Sequence, residues 1–173
     1  SIFLEQERNK SEKLLHNIMP KSIAEKLKNN IKTISMDNPE ISVLFADIVS
    51  FTEMSEKISS EKIVGFLNDM FSQFDDLTET YGVEKIKTIG DSYMVVSGMP
   101  VQKEDHALTL FNLAKEMIKI SAQFKDHNGN PIKLRIGINS GPAISGVIGK
   151  SKFAFDVWGC LLYTSDAADD LLC

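Results

Sequence analysis

Two aspartates in this chain stand where an aspartate is out of place. Asp47 interrupts the apolar end of a β-branched run at residues 41–48, and Asp91 follows Gly90 at the tip of a hairpin pattern. A carboxylate beside a buried strand is unfavourable unless a cation or hydrogen-bond donors satisfy it. Two of them, at the same end of adjacent strands, can share divalent cations. Mg²⁺ takes one or two carboxylates and completes its shell with water and phosphate oxygens. A pair of such ions about 4 Å apart activates an attacking oxygen and stabilises a leaving one. The plainer reading makes Asp47 a cap for the helix that follows and Asp91 a turn residue. Ser50, Phe51 and Thr52 start that helix, and backbone amides there offer a place for phosphate.

The surrounding pattern supplies the elements that must hold these residues. Residues 2–29 read as helix, with Leu14, Leu15 and Ile18 as one apolar stripe and Ile23, Ala24 and Leu27 as another. Pro20 lies between the stripes and predicts a kink. The charged start, Leu4 to Arg8, suits a connector helix, with a parallel coiled coil as one form. Residues 30–39 are polar and read as a linker. Residues 41–48 have the length and composition of a buried strand. Ser59 or Ser60 caps a long helix carrying Val64, Phe66, Leu67, Met70, Phe71, Phe74 and Leu77, which ends at Tyr81-Gly82. Residues 83–89 and 93–97 form a hairpin around Gly90-Asp91. Residues 104–125 form a second amphipathic helix, stopped by Asn128-Gly129-Asn130-Pro131. Strands follow at 132–139 and 143–148, separated by Ser140-Gly141-Pro142, and at 153–158.

After the leader the order is β-α-β-β-α-β-β-β. That order predicts an α+β fold of the ferredoxin-like, palm-type kind, with helices on one face of a mainly antiparallel sheet. Phe66, Phe71 and Phe74 belong to its core. Gly141, Gly146 and Gly149 suit tight turns and close packing. His16, His106 and His127 lack metal-ligand spacing and read as surface or capping residues, and Lys85 reads as a solvated strand residue.

Composition narrows the class of function. The 173 residues are 43% hydrophobic and 25% charged, with a net charge of −5. No basic patch marks a nucleic-acid partner, and no apolar run approaches the roughly 20 residues of a membrane-spanning helix. There is no signal-peptide pattern. The first residue is Ser1 rather than methionine, which reads as a piece of a longer protein, with an upstream membrane anchor left open. Both cysteines, Cys160 and Cys173, fall in the last stretch. That placement suits a reducing compartment with no disulfide framework.

Several segments carry a family resemblance. Residues 45–52 (Phe-Ala-Asp-Ile-Val-Ser-Phe-Thr) resemble the first-strand signature of class III adenylate and guanylate cyclases. Residues 83–100 resemble their central hairpin, residues 135–149 the next hairpin, and residues 155–159 the start of the block after it. Residues 14–27 are similar to the helix that precedes such domains. Together these cover roughly residues 11–159. The resemblance implies a dimer, a homodimer or a cyclase heterodimer, with active sites shared across its interface. It implies that Asp47 and Asp91 hold two divalent ions, Mg²⁺ or Mn²⁺, with the Ile48 carbonyl as a further ligand. Phe51 and Thr52 would lie beside the triphosphate. A nucleoside triphosphate, ATP in the first instance, would close to its 3′,5′-cyclic monophosphate with loss of pyrophosphate. Catalysis of this kind rests on positioning and charge stabilisation.

Lys87 and Asp156 match the family's base-reading positions. Adenine presents an acceptor at N1 and a donor at its N6 amine, which a lysine donor and an aspartate acceptor complement. Guanine reverses that pattern, and guanylate cyclases typically carry glutamate and a small cysteine-like residue there. Sites built on such hydrogen bonds discriminate by roughly 10⁴-fold in favourable cases. Two other readings stand beside an adenylate cyclase. One is a guanylate cyclase. The other is a catalytically silent cyclase-like dimerisation domain, which would be expected to lack the metal aspartates. The GGDEF or GGEEF turn of diguanylate cyclases is absent.

The resemblance ends at Gly159. The family continues with an asparagine that orients the ribose and an arginine that stabilises the transferring phosphate. Residues 160–173 contain neither asparagine nor arginine. Cys160 to Asp170 resemble a translated sequencing adapter, which predicts a non-native tail, an incomplete domain and a nearly inactive fragment. The organisation expected is a helical connector at 1–30, an incomplete catalytic domain at 38–159 and the tail at 160–173. An upstream sensor or coiled-coil region is expected on the same chain, with the catalytic domain on the cytosolic side.

Overall fold

The computed structural model describes residues 1–31, 33–159 and 161–162. The proposed tail at 160–173, apart from Leu161 and Leu162, lies outside the described residues. The leader is two helices, α1 (Ile2–His16) and α2 (Lys21–Lys28), rather than one kinked helix. Pro20 stands at the N-cap of α2 with φ −57° and ψ 146°. It lacks an N–H, and its ring pushes the preceding residue out of helical conformation, so the chain breaks there. The helices are tied by Lys28 Nζ to Glu12 Oε1 at 2.9 Å. In α1 no residue is buried, whereas α2 buries Ile23 and Ala24.

The stretch expected to be a linker is mostly strand. β1 runs Ile34–Ile48, and its first half pairs with the far half of β4 (Leu134–Ile148). The two strands expected at 132–148 are thus one. The ladder slips where Pro39 and Glu40 face Pro142, between the pairs Asn38↔Ala143 and Ile41↔Gly141. Proline cannot donate to a ladder, and a bulge is where none is required. Asn38 Nδ2 braces the slip through the Ala143 carbonyl at 3.3 Å and Ser145 Oγ at 3.0 Å. Polar residues concealed this strand because its stabilisation comes from a distant partner. Gly146 is required by the same pairing: a Cβ there would lie 2.5 Å from the Ile34 carbonyl.

The remaining elements are α3 (Phe51–Lys57), α4 (Ser60–Tyr81), β2 (Glu84–Ile89), β3 (Ser92–Ser97), α5 (His106–Ser121) and β5 (Ala154–Trp158). Ser59 is the N-cap of α4 but makes no side-chain capping bond, while Gly82 ends the helix at φ 63° as expected. The five strands form one antiparallel sheet in the order β2-β3-β1-β4-β5. This is the ferredoxin-like arrangement with one further strand at its edge.

Alternation along β1 divides two cores. Leu44, Ala46 and Ile48 pack with Met70 and Phe74 of α4 and Leu110, Leu113 and Met117 of α5. Phe66 and Phe71 pack against that cluster, and Phe71 and Phe74 flank Tyr93 at 5.3 and 5.4 Å between ring centroids. Val43 and Phe45 face the other way, toward Met19, Ile23 and Ala24 of the leader. The two long helices therefore share one face, as expected, and the leader occupies the opposite one.

Candidate active site

β3 pairs with β1 as far as Ala46↔Tyr93, which brings the β2–β3 turn to the end of β1. Gly90 turns there with φ 59°. Asp91 then reaches across, and its Oδ2 accepts the Ile48 N–H at 3.1 Å. Burial raises the Asp91 carboxyl above the usual aspartate range. Hydrogen bonds from the Asp91 and Ile48 amides oppose that shift, and the charge of Asp47 adds to it. The two carboxylates are thus close enough to sense one another. Asp47 does not cap α3, whose N-cap is Ser50. Adjacent hard-oxygen donors that repel one another are the donor set a divalent cation relieves, so the residues present fit Mg²⁺ or Mn²⁺. Among the described residues no group of three or more acidic, histidine or cysteine side chains is assembled for a metal. A two-carboxylate site leaves the remaining positions to water, a carbonyl and phosphate.

Beyond Ile48 the chain turns sharply. Ser50 has φ 59°, a left-handed conformation that costs a serine about 1 kcal/mol or more. It starts α3 with Phe51 half-buried against the helical core and Thr52 exposed. Across the ladder, Asp47 stands directly opposite Arg135. Directly paired residues have Cβ atoms about 5 Å apart, so the exposed Arg135 shares a sheet face with Asp47. Arg135 was not among the candidates read from sequence. Only the β1–β4 register reveals it.

Lys87 and Asp156 meet. Lys87 Nζ lies 2.6 Å from Asp156 Oδ2, and Asp156 Oδ1 accepts the Val157 N–H at 2.8 Å. They come from β2 and β5, the two edges of the sheet, so the sheet curls until its edges approach. Among the described residues no hydrogen bond or ion pair joins this couple to the carboxylate pair.

Other polar residues depart from expectation. His106 is buried, with Nδ1 2.6 Å from Ser42 Oγ, which lies 2.5 Å from Ser140 Oγ. Its Nε2 is 3.5 Å from Glu40. The network pins the start of α5 to the sheet, so His106 is not a solvated residue. The His127 side chain is 15% exposed, with Nε2 3.8 Å from Glu53. Lys85 is held by Asp75 at 2.8 Å and lies 5.1 Å over the Tyr93 ring. Asp75 also accepts from the Tyr93 hydroxyl at 2.5 Å. Burial, then that hydrogen bond, raises the Tyr93 hydroxyl well above the ordinary tyrosine range.

A ferredoxin-like sheet with two neighbouring carboxylates at one strand end offers a place for divalent cations and the phosphate oxygens they bind. Residues 33–166 match the family model described as the adenylate and guanylate cyclase catalytic domain, and the chain belongs to that family. An adenylate cyclase of Mycobacterium tuberculosis is 48% identical over 157 residues, covering 90% of this chain and 35% of that protein. A membrane guanylyl cyclase of Dictyostelium discoideum is 35% identical over 157 residues, covering 90% of this chain and 11% of that protein. This chain therefore spans about a third or less of these curated relatives. Among solved structures, the catalytic core of a rhodopsin-guanylyl cyclase with converted specificity, in complex with ATPαS, superposes with a TM-score of 0.72 at 34% identity. That alignment covers 77% of this chain and 72% of the other.

Proposed function

We propose that this catalytic domain converts ATP to 3′,5′-cyclic AMP and pyrophosphate in signal transduction. The observation that carries the reading is the Lys87–Asp156 couple, a donor and an acceptor set side by side at 2.6 Å. On adenine, the ammonium donates to N1 and the carboxylate accepts from the N6 amine. Guanine offers the reverse and gives neither group its complement on the base, a mismatch against which a polar site discriminates strongly.

Asp47, Asp91 and the Ile48 carbonyl are the groups that would hold two divalent cations. Bound there, those ions would supply activation of the ribose 3′-oxygen and charge stabilisation on the leaving pyrophosphate. The Asp91–Ile48 hydrogen bond keeps the hairpin tip against β1 and so sets the spacing of the carboxylates. Phe51 and Thr52, at the start of α3, would lie beside the triphosphate, and the exposed Arg135 would be suited to its oxygens. Among the described residues no hydrogen bond or ion pair joins the carboxylates to the base readers, and each active site would draw the first set from one protomer and the second from its partner. A symmetric dimer then holds two equivalent sites.

The asparagine and arginine that the resemblance requires after Gly159 have no counterpart in residues 160–173. Turnover is assigned to the protein carrying the complete catalytic domain, on the cytosolic side of any membrane, and this chain alone should be nearly inactive. The test is competition between ATP and GTP in the complete protein, with cyclic AMP and cyclic GMP measured together. Predominant cyclic AMP supports the reading; predominant cyclic GMP replaces it with a guanylate cyclase. Robust cyclic AMP formation by the present chain would overturn the assignment of transition-state stabilisation to residues it lacks.

A further inference from the structure

The leader meets the catalytic body over a cleft of about 610 Å³. Its walls are the break at residues 17–20, the last turns of α4, the start of β2, and Phe155 of β5. Glu84 lies in it, half-buried on β2. It pairs in register with Val96, and so faces the same side of the sheet as the leader. Among the described residues its carboxylate has no hydrogen bond and no ion pair. The other charged or titratable groups facing the cleft are His16 of α1, Asp75 and Glu79 of α4, and Lys85 of β2. Lys85 does not neutralise Glu84, because Asp75 holds it at 2.8 Å over Tyr93 on the helical side. Asp75 and Glu79 add negative charge.

We propose that Glu84 makes docking of the leader proton-dependent: with its carboxyl neutral the cleft closes under residues 17–20, and with it ionised the leader loosens from the sheet. The apolar groups lining the cleft with it are Met19, Ile86 and Phe155, and Met19 belongs to the same core cluster as Ile23 and Ala24 of α2. Burying an unpaired carboxylate among them is unfavourable, whereas a neutral carboxyl is tolerated. Burial pushes the Glu84 carboxyl up to about 7. The sign follows from linkage. A carboxyl that is harder to ionise when docked binds more protons in the docked state, so docking weakens as pH rises from the usual carboxylate range, and the loss is complete above about 7. Lys87 lies on the same strand and the same face, opposite Met94. Release of the leader therefore frees the strand that carries the proposed base reader. That last link rests on the nucleotide reading; the docking does not.

The test is hydrogen exchange in the full chain. The amides of Ile23 and Ala24 donate to the Pro20 carbonyl at 3.0 and 2.9 Å, and they report on the leader directly. After correction for intrinsic exchange, their protection should fall about tenfold between about pH 6 and about pH 8. Glu84→Gln, which keeps the shape and cannot ionise, should hold the low-pH protection throughout. Glu79→Gln and His16→Asn should retain the wild-type dependence. Equal protection at both pH values in the wild type overturns the proposal. So does a pH dependence that survives Glu84→Gln or disappears with His16→Asn. The readout contains no nucleotide, so its failure is distinct from failure of the cyclase reading.

Discussion

Replacing the proposed base-reading couple as a pair, Lys87→Glu with Asp156→Cys, should invert nucleotide preference in the protein carrying the complete catalytic domain. Asp156 is 17% exposed and Lys87 41% exposed, so the first hydrogen bond is formed in a drier environment than the second. Hydrogen bonds to charged groups contribute about 1.5–3 kcal/mol each. Placing Asp156 high and Lys87 low in that range yields about 4.5 kcal/mol, or a change of roughly 10³-fold in the ATP-to-GTP ratio of kcat/KM. The assay is initial-rate competition, with both cyclic products quantified from one reaction. The single variants test the reasoning further. Lys87→Glu alone sets two carboxylates where a 2.6 Å ion pair stood, which repels β2 from β5 and loosens the curl of the sheet. It should lower thermal stability, and the double variant should recover part of the loss, a non-additive cycle. A double variant that folds and keeps its ATP preference within about threefold would refute the assignment, because coupled contacts of this strength change the ratio far more.

Four further outcomes follow from the geometry. Asp91→Asn keeps an acceptor for the Ile48 N–H and should unfold like wild type, yet lose at least about 10²-fold in cyclase rate; Asp91→Ala should also lose about 1 kcal/mol by chemical denaturation. Mixing an Asp47→Ala protein with a Lys87→Ala protein should restore activity, since a mixed dimer holds one intact site; no recovery in titrated mixtures would argue against shared sites. His106→Ala removes the anchor between α5 and Ser42, and denaturant midpoints should report about 1–3 kcal/mol of destabilisation. Gly146→Ala drives a Cβ to 2.5 Å from the Ile34 carbonyl, and should either lower Tm or unpair the start of β1, which exchange at residues 34–38 would detect.

Residues with strong local signatures were legible in the sequence. Gly90-Asp91 announced a hairpin, residues 41–48 a buried strand, and the spacing of Met70, Phe74 and Leu77 a long helix, because each is stabilised by its own side-chain period. Asp47 was legible as an exception to its strand's apolar run and Asp91 by its place at the hairpin tip. Motifs in order were enough to indicate the family. Long-range pairing decided the rest. The polar residues 34–38 become strand only because β4 lies beside them, and Pro39 and Pro142 are accommodated only because they share a bulge. The burial of His106, the placing of Arg135 opposite Asp47 and the cleft over Glu84 all depend on partners that chain order does not reveal. Curling of the sheet closes Lys87 onto Asp156 across 69 positions of sequence. Local periodicity specifies an element and its apolar face; register, curl and burial of charge are set by contacts between distant segments, and only the folded chain forms them.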